Sequence, residues 1–115
     1  MATRTQQDLA TAVLQDLRLI AAEETPSAAD RAYVINRYTE ALEELRDDGL
    51  VWWDANAIPY AVFPAVVYYV GLVVSPGFGI ISNNNIDEAL EGAKRRLRRR
   101  VAKRSTGEAT ELSDY

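Results

Sequence analysis

The sequence predicts an all-α fold: a small bundle of about four helices with an extended C-terminal tail. Three observations carry this. Apolar residues recur at i+3 and i+4 spacing in three separate segments. A fourth stretch, Ile58 to Ser75 (IPYAVFPAVVYYVGLVVS), is uncharged and almost wholly apolar, which makes it the natural centre of a core. The length of 115 residues suits one domain, which buries roughly two thirds of its unfolded surface. The helical domain is assigned to residues 1–104 and the tail to 105–115.

The first helix is expected from Gln6 to Ala22. Leu9, Val13, Leu17 and Ile20 share one face, and Asp8 in the opening turn favours the helix dipole. Glu23 to Ser27 is a stop followed by a restart, because the residue before Pro26 is held away from α conformation. Thr25 and Ser27 are alternative N-caps for a second helix, Pro26 to Asp48, with Asp30 in its opening turn. Val34, Ile35, Tyr38, Ala41, Leu42 and Leu45 form its apolar stripe, and Gly49 is placed to end it in left-handed conformation. The short connection predicts an antiparallel helical hairpin.

Leu50 to Asp54 (LVWWD) is short and aromatic, and reads as an extended segment closing one end of the core. The valines of Ile58–Ser75 favour strand. Its length, with Pro59 placed as a helix starter, favours a buried helix that Pro64 could bend. Helix is the expectation. Ser75-Pro76-Gly77-Phe78-Gly79 ends it, and Ile80 to Asn85 forms a loop. Asn85 and Glu88 have capping-box spacing for a last helix, with Ile86, Leu90, Ala93, Leu97 and Val101 on its seam. Ser105 to Tyr115 is nearly devoid of apolar residues and reads as extended and mobile. The expected core centres on Leu17, Tyr38, Leu42, Trp52, Val66, Val70, Leu90 and Leu97. Trp53, Tyr68 and Tyr69 are read as further core or core-edge aromatics.

Composition excludes several chemistries. The chain has no Cys and no His, so disulfides, thiolate nucleophiles and imidazole bases or ligands are ruled out. Only a hard oxygen site would remain for a metal, and no EF-hand spacing is present, so no cofactor or metal is expected. The adjacent carboxylates Glu23/Glu24, Glu43/Glu44 and Asp47/Asp48 point in different directions on a helix, and read as solvated surface rather than a facing acid pair. Ile58 to Val74 would be a short and proline-interrupted membrane span, so a buried core element is expected, and no membrane partner. The N-terminus has no unbroken apolar run and is not expected to be a secretory signal.

Charge is distributed unevenly. Residues 1–93 carry five basic and 14 acidic side chains, residues 94–104 (KRRLRRRVAKR) eight basic and none acidic, and residues 105–115 three acidic. Eight uncompensated cations repel one another, so a contact with an acidic partner is favoured over a merely solvated face. Phosphates, an acidic protein surface and an anionic membrane all remain open for such a helix.

Taken in order, LRLIAAEETPSAADRAY, LEELRDDGLVWWD, AIPYAVFPAVVYYVGLVV, the PGFG break, IDEALEGAKRRLRRRV and the closing ELSDY resemble the head-to-tail adaptor (head completion) proteins of tailed bacteriophages. The resemblance covers nearly the whole chain, and its most specific parts are the ETPSAAD restart and the gap from it to GLVWWD. It implies a non-enzymatic virion subunit, made in the bacterial host cytoplasm and residing at the head–tail junction. Such subunits form a ring, typically a dodecamer, under the portal protein, close the filled capsid and offer a platform to tail or stopper proteins, with DNA passing through the lumen. Carried onto this chain, it implies docking to the portal or a neighbouring subunit by Lys94, Arg95, Arg98, Arg99, Lys103 and Arg104, with Leu112 and Tyr115 in the tail. The wet faces of the first two helices would contact other copies. A small basic-armed nucleic-acid-binding protein is the first alternative, and a peptidoglycan-cleaving enzyme the second.

Overall fold

The computed structural model describes residues 2–80 and the backbone of 86–113, with side chains as far as Val101. The elements run β1 (Thr3–Arg4), α1 (Gln6–Asp16), α2 (Ala28–Asp47), β2 (Ile58–Pro59), α3 (Phe63–Val74), a 3-10 turn (Ser75–Phe78) and α4 (Ile86–Ser113). The fold is thus mostly helical, as expected, with one small sheet in addition.

Helix α1 opens on a capping box. The Thr5 hydroxyl accepts from the Asp8 N–H at 3.1 Å, and the Asp8 carboxylate accepts from the Thr5 N–H at 3.2 Å. It stops at Asp16, short of the expected Ala22. Arg18 adopts a left-handed φ of 59°, and the N–H groups of Arg18 and Leu19 bond back to the carbonyls of Gln15 and Leu14. That reversal satisfies the last carbonyls and turns the chain. Leu17 and Ile20 still lie against the core, but from the loop. Apolar spacing recorded that these residues face inward, and had no way to record that the backbone had left the helix.

Helix α2 begins at Ala28 with Ser27 as its cap, the second of the two expected candidates; the Ser27 hydroxyl accepts from the Asp30 N–H at 3.2 Å. Its end repeats the closure of α1 with the expected residue: Gly49 has φ 76°, and Gly49 and Leu50 bond back to Arg46 and Leu45. The connection from α1 spans residues 17–27, longer than the short turn expected. Along α2, Val34, Tyr38, Ala41, Leu42 and Leu45 are buried, while Ile35 is half-buried.

The central stretch departs most from expectation. It is not one helix from Pro59. Ile58 and Pro59 form β2, antiparallel to β1 with Thr3 opposite Pro59 and Arg4 opposite Ile58. A turn at Tyr60–Val62 follows, and helix begins at Phe63 with Pro64 in its first turn. A helix starting at Pro59 would need an N–H from Pro64 to bond the Tyr60 carbonyl, and proline has none. Starting at Phe63 moves Pro64 to a position where no donor is required.

Helix α3 is the centre of the molecule and packs against α1, α2 and α4. Ala65, Val66, Val67, Tyr69, Val70, Gly71 and Val74 are all buried. Tyr68 is 46% exposed. Adjacent helical residues point about 100° apart, so when Tyr69 faces the core Tyr68 does not. The tryptophans of the irregular Leu50–Asp54 segment, which forms no strand, are also unequally buried. Trp53 is buried, and Trp52 stands edge-on to it at 4.9 Å between ring centroids and is only partly buried. Of the expected core, Tyr38, Leu42, Val66, Val70 and Leu97 are buried, while Leu17, Trp52 and Leu90 lie at its edge.

The α4 seam holds, with Ala93 and Leu97 buried and Leu90 packed beside them. Its backbone is helical to Ser113, where extended chain was expected from Ser105. Ala109, Glu108, Glu111 and Leu112 are good helix formers, and only Gly107 opposes them. The capping role of Asn85, the loop at 81–85, and the side chains of Lys103, Arg104, Leu112 and Tyr115 lie outside the described residues. Among the described residues, no helix is long and apolar enough to cross a membrane.

Candidate interaction surface

The basic run sits on α4, so its geometry follows from how α4 crosses the body. Arg96 lies over the ring of Tyr68 at 5.9 Å, and Leu90 and Ile86 share a cleft with Leu72 and Val73. Rising numbers on α4 therefore meet falling numbers on α3, and the two helices are antiparallel. Helix α3 has 12 residues and α4 has 28. At about 1.5 Å per residue, α4 has run the length of α3 near residue 101, and its last dozen residues extend roughly 18 Å past it.

The cations on α4 fall into two groups. Lys94 belongs to the body. Its side chain is only 15% exposed and its ammonium lies 3.2 Å from the Asp48 carboxylate, clamping α4 to the end of α2. Burial pushes the Lys94 ammonium down, but the hydrogen bond it donates to Asp48 and the negative potential of Tyr69, Asp48 and Glu44 outweigh it, leaving its pKa raised. Lys94 is accordingly a fastening residue in this structure, rather than one of the exposed docking cations expected. Arg96 is half-buried against Tyr68. By contrast Arg95, Arg98, Arg99 and Arg100 are exposed, and no ion pair ties them to any described residue.

The acidic side of the molecule is on α2 and the first turns of α4. Arg37 pairs with Glu40 at 3.3 Å and Arg46 with Glu43 at 2.8 Å, so the two basic residues of that face are taken up locally. Arg37 is raised further above its already high pKa, chiefly by its hydrogen bond to Tyr33. Glu44 is left exposed beside an open cleft of about 500 Å³ between α2, α3 and α4. The floor is apolar, made by Leu72, Val73 and Leu90, and the rim carries Glu44, Asp87 and Glu91, with Lys94 as its one cation.

A second exposed feature lies where α4 leaves the body. The Arg4 guanidinium stands 5.0 Å from the Tyr60 ring and 5.2 Å from the Phe63 ring, and Tyr60 is 52% exposed. Arginine stacked on tyrosine is a composition that recurs at protein interfaces.

Among the described residues, no group of three or more Asp and Glu is arranged to hold a metal ion. The paired carboxylates of the sequence are exposed surface groups and do not face one another across a cleft as neighbours. The acidic cleft escaped the sequence reading because it is assembled from residues 44, 87 and 91, which no local motif joins. The division of the basic run was not legible either: Lys94 and Arg98 each follow a seam residue, Ala93 and Leu97, yet only Lys94 is held to the body.

Comparison of the chain with protein-family models, with curated proteins and with solved structures finds no match.

Proposed function

We propose that this chain is a non-enzymatic assembly subunit that docks through its basic last helix, and that it serves as a head-to-tail connector in a tailed bacteriophage. In that role copies form a ring under the portal protein and offer a platform to tail or stopper proteins. The order of sequence segments supports the phage reading, by resemblance. One structural observation supports the docking mode. The arginines at 95, 98, 99 and 100 are exposed and form no ion pair among the described residues, on a helix that outruns the body. A helix of this kind leaves its positive potential for a partner to neutralise.

Native mass spectrometry of the chain with and without isolated portal rings tests this. The expected result is capture by the portal in a defined stoichiometry, lost in the variant Arg95→Glu/Arg98→Glu/Arg99→Glu/Arg100→Glu and on deletion of residues 104–115, with the circular dichroism of the body retained in both. Portal capture that survives the arginine substitutions overturns the docking assignment, and no capture by the full chain overturns the connector reading.

The exposed arginines also favour a second reading, that α4 grips nucleic-acid phosphates. Fluorescence anisotropy on duplex DNA separates the two. Tight binding by the isolated chain that weakens steeply with salt supports the second reading.

A further inference from the structure

We propose that the acid-rimmed cleft between α2, α3 and α4 receives the arginine segment of α4 from a second copy of this chain, so that copies join end to end. The inference rests on the docking role assigned above to the basic helix, and adds a receptor for it. The cleft has the chemistry an arginine needs. Leu72, Val73 and Leu90 can cover the aliphatic stem, while Glu44 and Glu91 at the rim meet the guanidinium. Lys94 also lines the cleft and feels Glu44, but its ammonium is bonded to Asp48, and against this one cation the rim sets three acids, Glu44, Asp87 and Glu91. The donors match in kind: Arg98, Arg99 and Arg100 are exposed and have no ion pair among the described residues.

A copy's own Arg98, Arg99 and Arg100 do not turn back into its cleft. Glu91 and Arg98 are on one helix, about 10 Å apart along its axis, and a continuous α-helix does not fold back on itself. The cleft lies beside the first turns of α4, near the end of α3, and the arginines lie toward the start of α3 and beyond it. The two surfaces thus differ and lie toward opposite ends of α3. Contacts of this sort are heterologous: they propagate, and close into a ring when the rotation between copies allows.

The test uses the full chain, free of nucleic acid and portal, in sedimentation velocity at low and moderate salt. Wild type is expected to self-associate at low salt and to dissociate as salt rises. The double variant Glu44→Lys/Glu91→Lys and the double variant Arg98→Glu/Arg99→Glu are each expected to be monomeric alone. All four positions are exposed, so the circular dichroism and thermal melts should match wild type. Mixing the two is expected to restore association, since each basic surface again meets an acidic one. The neutral variants Glu91→Gln and Arg99→Gln serve as a gentler check, each expected to weaken association about tenfold. Failure of the mixture to associate, self-association untouched by either double variant, or association that requires added DNA overturns the inference. Portal capture by a chain that never self-associates would overturn this contact and leave the connector reading standing.

Discussion

Helices α3 and α4 are packed along each other, yet they are stabilised on opposite principles. Helix α3 has no charged residue, is buried on nearly all sides and touches each of the other helices. Helix α4 buries a narrow seam at Ala93 and Leu97 and exposes acids in its first turns and arginines beyond them. The first holds the fold together and offers a partner no charge, only Tyr68 and the cleft floor of Leu72 and Val73. The second is attached by that seam and the Lys94–Asp48 pair, and most of its chemistry faces outward. Stability and interaction have been divided between two neighbouring helices.

The sharpest way to break that contrast is a charge in each helix. Val66→Asp places an unpaired carboxylate in the centre of α3, where the native side chain is 1% exposed. It should abolish cooperative folding, a loss of more than about 4 kcal/mol. Arg99→Asp on α4 should leave the melting temperature within the equivalent of about 0.5 kcal/mol while weakening self-association. Equal effects of the two on thermal melts would refute the division.

A smaller effect is expected where α3 ends. A Cβ on Gly77 would run into the Tyr33 ring, which is packed edge-on against Phe78. Gly77→Ala should destabilise by roughly 1–3 kcal/mol, and much of that should vanish in a Tyr33→Ala background. Additive effects in urea titrations would show that the turn is constrained by something other than Tyr33.

The core has one polar tie that responds to pH. The Tyr38 hydroxyl donates to the Ala55 carbonyl at 2.9 Å, joining α2 to the loop before β2. Burial is the main cause of a raised Tyr38 pKa, and of a raised Tyr69 pKa. A folded-state pKa above the unfolded one means that stability is fully present below the unfolded value of 10.0 and declines as pH rises through the folded value. Tyr38→Phe should cost about 1 kcal/mol at neutral pH and make the alkaline decline shallower, which denaturant titrations at neutral and alkaline pH would register. An unchanged alkaline decline would assign it to Tyr69 or elsewhere.

The smallest predicted change is a gain. Helices α1 and α2 end with the same closure, but Gly49 occupies the left-handed position in one and Arg18 in the other. Arg18→Gly should raise stability by up to about 1 kcal/mol, seen as a higher melting temperature. A loss would mean that the Arg18 side chain makes up for its backbone strain.

Much of the helical content was legible in the residues. The stripe on α2, the seam on α4 and the left-handed Gly49 all follow from spacing or from the stereochemistry of glycine. Periodicity failed where inward-facing residues sit on non-helical chain, as at Leu17 and Ile20. It failed again where a nearly uniform apolar run gave no period to read, so that β2 and the true start of α3 were concealed. The candidate surface divides likewise. The surplus of arginines was plain from residues 94–104, but the acid-rimmed cleft was not, because its residues converge from separate helices.

Read one segment at a time, the chain is mainly helical, with its apolar centre after Ile58 and its positive charge gathered on the last helix. These are properties of spacing and composition within single segments. Tertiary structure alone decided that Pro59 pairs as strand, that Lys94 fastens the body while its arginine neighbours stay exposed, and that Glu44 and Glu91 share a rim. Each of those outcomes depends on which distant side chain arrives beside it, and local preference does not encode that distance.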